Sequence, residues 1–160
     1  MWPSCVKMNF LQTKQIQLED AMPVIREHLA EGNSVRIYPR GTSMRPMLRQ
    51  GIDSVVLSPL PEQLQKYDLP LYQRENGQYV LHRVVKTGES YTCIGDNQFQ
   101  LEPGVEPGQL IAIVTSFTRG NKQHSVTEPG YWLYCRLWHY SRPVRLLWRR
   151  GVAWIRRHVS

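Results

Sequence analysis

The sequence predicts a mainly β domain, entered through one amphipathic helix and left through a basic helical tail. Three observations carry this fold class. Six short runs, "SVRIYP", "DSVVLSP", "DLPLYQR", "YVLHRVVK", "SYTCIG" and "QLIAIVTSFT", are rich in β-branched and aromatic residues and are separated by Gly, Pro and Asn clusters. One segment ahead of them repeats its apolar residues at the period of a helix. The last thirty residues hold seven arginines, four of the five tryptophans and no acid, so they have a different character from the rest. The implied division is an amino-terminal segment 1–33, a β domain 34–118, a linker 119–130 and a Trp/Arg-rich tail 131–160.

In chain order, the first element is "LEDAMPVIREHLAEG", where Leu18, Met22, Ile25 and Leu29 share one helical face and Gly32 supplies the C-terminal stop. The β-like runs follow without an internal repeat, and a series of short strands after a single helix reads as mainly β. "ENGQ", between "LPLYQR" and "YVLHRVV", is the best hairpin signal, and "KTGES" marks the next turn. In "YVLHRVVK", strand alternation points Tyr79, Leu81, Arg83 and Val85 one way and Val80, His82 and Val84 the other. "TEPG", residues 127–130, marks the boundary before the tail.

Composition bounds the function classes. At 160 residues and 41% hydrophobic content the chain is the size of one domain with a real core. Cys5, Cys93 and Cys135 are odd in number and form no CxxC pair, which argues against a disulfide framework and a zinc site and for reducing conditions. No signal-peptide pattern is read at the start, and no uncharged apolar run approaches the roughly 18 residues of a membrane span. The expected location is therefore cytoplasmic, or peripheral at a membrane surface. Of the 20 Lys and Arg, the tail's Arg136, Arg142, Arg145, Arg149, Arg150, Arg156 and Arg157 leave 13 to balance the 13 acids elsewhere, so the tail carries the whole net charge of +7.

Four residues stand out as chemistry. In "YPRGTSMRPMLRQG", residues 38–51, Gly41 and Pro46 bracket a turn in which Met44, Met47 and Leu48 are apolar anchors and Ser43 offers a hydroxyl at a strand end. Taken alone, Ser43 reads as a turn residue, since no base is adjacent. His82, flanked by valines on its strand face, is inward-looking, and on its own it reads as a core histidine bonded to a carbonyl. His28, His124, His139 and His158 have no comparable setting. Asp96 and Glu102, in "CIGDNQFQLEPG", read alone as an Asx turn and a solvated loop.

"GTSMRPML", "LHRVV" and "IGDN" follow one another in the order of motifs in the serine peptidases of the signal peptidase I and self-cleaving repressor group, and the chain resembles that group over residues 34–118. The resemblance implies a coiled β-sheet or barrel domain, Ser43 as nucleophile, His82 as general base, and no metal or organic cofactor. "LHRVV" is similar to the His-type strand of endoplasmic-reticulum and sporulation signal peptidases. The carboxylate that completes His-type sites falls by position on Glu102, preferred narrowly over Asp96. Gly41 stands where Lys-type enzymes carry an oxyanion-stabilising hydroxyl, so the Ser43 N–H takes that part, and Gly41, Thr42 and Met44 are the substrate-binding and oxyanion candidates. The family's Gly-Asp steps appear as Gly51-Ile52-Asp53 and Tyr67-Asp68, and no counterpart of the family's membrane anchor, its large insertion or the repressors' DNA-binding domain is read. The expected activity is a serine endopeptidase that cleaves a leader or signal segment of a peptide or protein. The alternatives are a non-catalytic peptide-binding module of the same fold and a self-cleaving regulator.

The tail has three readings. Val144, Leu147, Trp148, Gly151, Val152, Trp154 and Ile155 fall on one side of a helix and Arg145, Arg149, Arg150, Arg156 and Arg157 on the other, with Leu146 the exception. The favoured reading is an interfacial helix on an anionic membrane. Packing of the apolar face on the β body comes second, and nucleic-acid binding third.

Overall fold

The computed structural model describes residues 18–158. Cys5 and the side chains of Ile155, Arg156, Arg157 and His158 lie outside the described residues. Helix α1, Leu18–Ala30, buries Met22, Ile25 and Leu29 as the apolar spacing requires. It ends in a Schellman cap: Gly32, at φ +81°, donates to Leu29 O at 3.0 Å and Asn33 donates to His28 O at 2.9 Å.

The chain is mainly β. The strands are β1 Val35–Ile37, β2 Val55–Ser58, β3 Pro70–Gln73, β4 Tyr79–Leu81, β5 Arg83–Lys86, β6 Tyr91–Ile94, β7 Glu102–Val105, β8 Leu110–Arg119 and β9 Lys122–Ser125. They build two antiparallel sheets, one in the order β1-β2-β8-β3-β4 with β9 added to β8, the other β5-β6-β7. Helices α2, Pro129–Tyr140, and α3, Arg142–His158, complete the fold. No closed barrel forms among the described residues. The first sheet ends at β1 and at β4, and the chain leaves β4 for the second sheet, so no strand joins those two edges.

The expected hairpin at "ENGQ" joins β3 to β4. Gly77 N donates to Arg74 O and Arg74 N to Gln78 O, both at 2.9 Å, and Gly77 takes φ +84°, a three-residue loop whose last position favours glycine. Beyond it, "YVLHRVVK" is two strands rather than one. Residues 80–85 are all buried, because Leu81 packs with Leu71 and Ala112 in the core under α1, while Val80 and Val84 pack with Tyr72, Tyr91 and Cys93 in a second core between the sheets. His82 is the residue at which the chain changes sheets.

Two strands carry no β-like pattern in the sequence. β7 is "EPGV" and forms because its backbone pairs with β6, with Cys93 opposite Glu102. β9 lies inside 119–130, the segment expected as a linker. The ten residues of β8 pair with β3 only at 110–113, which leaves that edge open at 116–119, and the polar "KQHS" folds back to fill it.

The tail is two helices, and they behave differently. α2 buries Tyr131 and Cys135 in the core beside α1 and the serine turn. It belongs to the body. α3 instead holds Val144, Leu147, Trp148 and Trp154 exposed.

This division is testable by truncation. Ending the chain at Ser141 is expected to leave the thermal melt close to the parent's. Ending it at Glu128 strips the core of Tyr131 and Cys135 and removes three hydrogen-bond donors or acceptors from a buried ion pair, each worth about 1.5–3 kcal/mol, against a total of about 5–15 kcal/mol. That shorter chain is expected to lose its cooperative circular-dichroism transition at ambient temperature.

Candidate active site

Ser43, on the turn between β1 and β2, and His82, between β4 and β5, line one groove. The groove, about 490 Å³, is also lined by Gly41, Thr42, Met44, Leu48, residues 78–81, Asn97 and Arg149. Three expected substrate-binding residues, Gly41, Thr42 and Met44, are therefore beside Ser43 on its wall.

The serine turn is held from three sides. Below it, Met44, Met47 and Leu48 are buried anchors, and Leu48 N donates to Met44 O at 2.9 Å. At its far end Asp53 is fully buried and accepts from Arg49 N, Nε and Nη2 at 2.8–2.9 Å and from Gly120 N at 2.9 Å. Those bonds, Arg49's first, hold the Asp53 carboxyl far below the usual carboxylate range. Asp53 is thus a scaffold carboxylate that tacks the turn to the β8–β9 loop.

The third support is the turn Gly95-Asp96-Asn97-Gln98. Asn97 N donates to Ser43 O at 2.7 Å and Asn97 Nδ2 to Thr42 O at 3.2 Å. A Cβ at Gly95 would stand 2.8 Å from Ser43 O and 3.0 Å from Ser43 Cβ, so the approach requires glycine.

His82 is 2% exposed, and its ring is fixed through Nδ1. Nδ1 lies 3.3 Å from the Tyr72 hydroxyl and 3.3 Å from Glu102 Oε2, and Tyr72 donates its one proton to Glu102 Oε2 at 2.8 Å. With that proton committed, Nδ1 must donate toward the tyrosine and the carboxylate. In the neutral ring the unprotonated nitrogen is then Nε2, the atom left to accept a proton. Arg74 closes the array with Nε and Nη2 on the two Glu102 oxygens, both at 2.6 Å.

The electrostatics follow from this packing. Burial lowers the His82 pKa below its ordinary value; Glu102 opposes the shift and the Arg74 charge adds to it. Burial would raise Glu102, but its hydrogen bonds from Arg74 and Tyr72 outweigh that and keep it below the usual value. Burial, with Glu102 beside it, holds Tyr72 protonated far above the range of a free phenol. The site at neutral pH is an uncharged imidazole backed by an anionic carboxylate that an arginine neutralises.

Of the two carboxylates weighed from the sequence, the fold brings Glu102 to the histidine and sends Asp96 elsewhere. Asp96 is buried and takes Arg83 on both oxygens at 2.8 Å, with Tyr134 OH on Oδ2 at 2.9 Å. These partners hold the carboxylate in the core, and Asp96 is not among the residues that line the groove. Ser43 and His82 make no hydrogen bond to each other among the described residues. No cluster of three His, Cys, Asp or Glu side chains able to hold a metal occurs among them either.

Tyr72 and Arg74 were not read as site residues in the sequence. A signal existed: hairpin register sets Tyr72 opposite Val80, which makes His82 its diagonal neighbour, and Arg74 follows on the same strand face.

Two outcomes test the site without any substrate. The His82 Cε1–H resonance is expected to titrate with a midpoint below about 6.5. Because that folded value is depressed, His82 contributes stability that is present above about pH 6.5 and lost as pH falls through the folded pKa, so the denaturation midpoint should drop across that window. A midpoint above 6.5 contradicts the burial argument. Gly95→Ala should cost about 1–3 kcal/mol in chemical denaturation, with amide shifts concentrated at Ser43 and Asn97.

No family model, no curated protein and no solved structure matches the chain, so the functional reading rests on the residues and their geometry.

Proposed function

We propose that the chain is a serine endopeptidase with Ser43 as nucleophile and His82 as general base, and that its two sheets are a variant of the signal-peptidase-like domain implied by the order of its serine, histidine and Gly-Asp-Asn motifs. The observation that carries the reading is the pair of contacts at His82 Nδ1, from which the basic nitrogen of the neutral ring is Nε2. Tyr72 and Glu102 occupy Nδ1, which leaves Nε2 as the proton acceptor of a histidine that lines the same groove as Ser43.

The chemistry needs no further group. Ser43 Oγ attacks the carbonyl carbon of the scissile bond while Nε2 takes its proton, because an unassisted hydroxyl is a weak nucleophile. The Ser43 backbone N–H, with Thr42 beside it, stabilises the tetrahedral oxyanion. The imidazolium is supported through Nδ1 by Glu102 and returns the proton to the leaving amine, and a water then attacks the acyl-serine with His82 again as base. Glu102 and Tyr72 are positioning residues.

The substrate is an extended peptide. β4 ends its sheet, paired only with β3, and residues 78–82 line the groove, so an extended peptide adding its backbone to that edge would lie beside Ser43 and His82. The same edge would serve a binding module without catalysis. Apo sites often hold nucleophile and base farther apart than the working complex does, so the missing Ser43–His82 bond favours neither.

A fluorophosphonate probe decides between them. Labelling of Ser43 that Ser43→Ala abolishes is expected; an unlabelled, folded parent would leave the binding module, and cleavage of the chain by itself would mark a self-processing regulator. Cleavage of extended peptides should be lost in Ser43→Ala and in His82→Ala, with little further loss in the double variant. Glu102→Gln should slow it about 10²-fold or more. The rate should rise with pH to a plateau, its half-point below about 6.5, since the neutral imidazole is the active form. Removing the cation in Arg74→Gln should move that half-point upward.

A further inference from the structure

We infer that α3 is a docking surface for an anionic lipid bilayer. Val144, Leu147, Trp148 and Trp154 fall within a sector of about 120° on the helix, and each is 62–71% exposed. Three arginines of the opposite side, Arg142, Arg145 and Arg149, are turned to the body. Arg142 donates to Phe99 O, Arg145 donates to Asp96 O at 3.3 Å and to Trp138 O at 2.7 Å, and Arg149 lies 5.0 Å over the Phe99 ring. A helix that packs on a globular body does the reverse, with its apolar stripe facing in. α2 adds Leu133, Leu137 and Tyr140, 51–66% exposed, so the exposed apolar side chains concentrate on these two helices.

Charge selects the occupant. Residues 131–160 carry seven arginines and no acid, whereas the remainder balances 13 basic against 13 acidic residues. An anionic bilayer complements that excess, accepts the apolar sector below the headgroups and suits the tryptophans at its boundary. A second copy docking by twofold symmetry would set two such basic arrays against each other. Single-stranded nucleic acid needs stacking rings and phosphate-binding cations on one face, and here Arg142 and Arg145 are bound to carbonyls on the side away from Trp148 and Trp154. Arg149, on the opposite side of the same helix, lines the groove of Ser43 and His82, so docking leaves that groove about one helix diameter, about 10–12 Å, from the bilayer. Resting on the peptidase reading, this last step makes the substrate a segment held at the membrane surface.

The test uses the full chain and vesicles of mixed phosphatidylglycerol and phosphatidylcholine, against phosphatidylcholine alone. Mixed vesicles should bind about tenfold tighter or more, with a blue shift of tryptophan emission and loss at high salt. Leu147→Glu with Trp148→Glu should weaken binding about tenfold or more, and Trp148→Ser less, while the circular-dichroism melt is unchanged. Ser43→Ala should bind as the parent does, which separates docking from peptidase chemistry. Equal binding to both vesicles, full binding by the double variant, a lipid-free dimer that the double variant dissolves, or displacement of vesicles by a short oligonucleotide would each overturn the proposal.

Discussion

The buried pair of Arg83 and Asp96 is the interaction on which the rest of the structure depends. Both side chains are 2–3% exposed, and the fork of Nε and Nη2 meets both carboxylate oxygens at 2.8 Å. The remaining donors are satisfied by Tyr67 O, Tyr131 OH, Cys135 Sγ and Met47 Sδ. A charge removed from water is tolerable only with such complete pairing, and losing either partner costs about 3–5 kcal/mol because the other is left buried and alone. The partners come from the turn after β6, the loop before β3, the serine turn and α2, so one guanidinium on β5 ties four separate parts of the chain together.

That pair also explains how a nucleophile turn and a base strand come to share a groove. His82 immediately precedes Arg83, and Gly95 and Asn97 immediately flank Asp96. Joining Arg83 to Asp96 therefore brings the histidine toward the turn that holds Ser43 by its backbone. The Asp96 carbonyl in turn receives Trp138 Nε1 at 2.7 Å and Arg145, which links the same loop to both C-terminal helices. Site geometry, the position of α2 and the orientation of α3 are consequences of one electrostatic constraint.

Much of the candidate site was legible in the chain because the residues concerned sit in locally determined settings. Gly41 through Leu48 spell a turn with apolar anchors, and the structure keeps that reading. His82 was read as inward-facing, which holds, although the reason is a change of sheet rather than one face of a continuous strand. Asp96 was weighed as a partner of the histidine, and nothing local distinguishes it from Glu102. The decision comes from Arg83, thirteen residues away, and from Tyr134 on a helix that looked like a separate tail. The parts of Tyr72 and Arg74 are not legible locally, because they depend on β3–β4 register and on a β7 whose "EPGV" has the composition of a loop.

The sequence by itself determined what local chemistry can determine: α1 with its glycine stop, the hairpin at "ENGQ", six of the β-like runs, the serine turn and the concentration of charge in the last thirty residues. These follow from periodicity, capping and turn preference within a few neighbours. Tertiary structure alone decided that β9 fills the open edge of β8, that α2 joins the core while α3 turns its apolar side outward, and that Glu102 rather than Asp96 stands behind His82. Each of those outcomes depends on a partner far away in the chain, an unpaired strand edge, an unsatisfied buried guanidinium or an imidazole nitrogen in need of an acceptor, and the need for that partner exists only once the fold has removed the group from water.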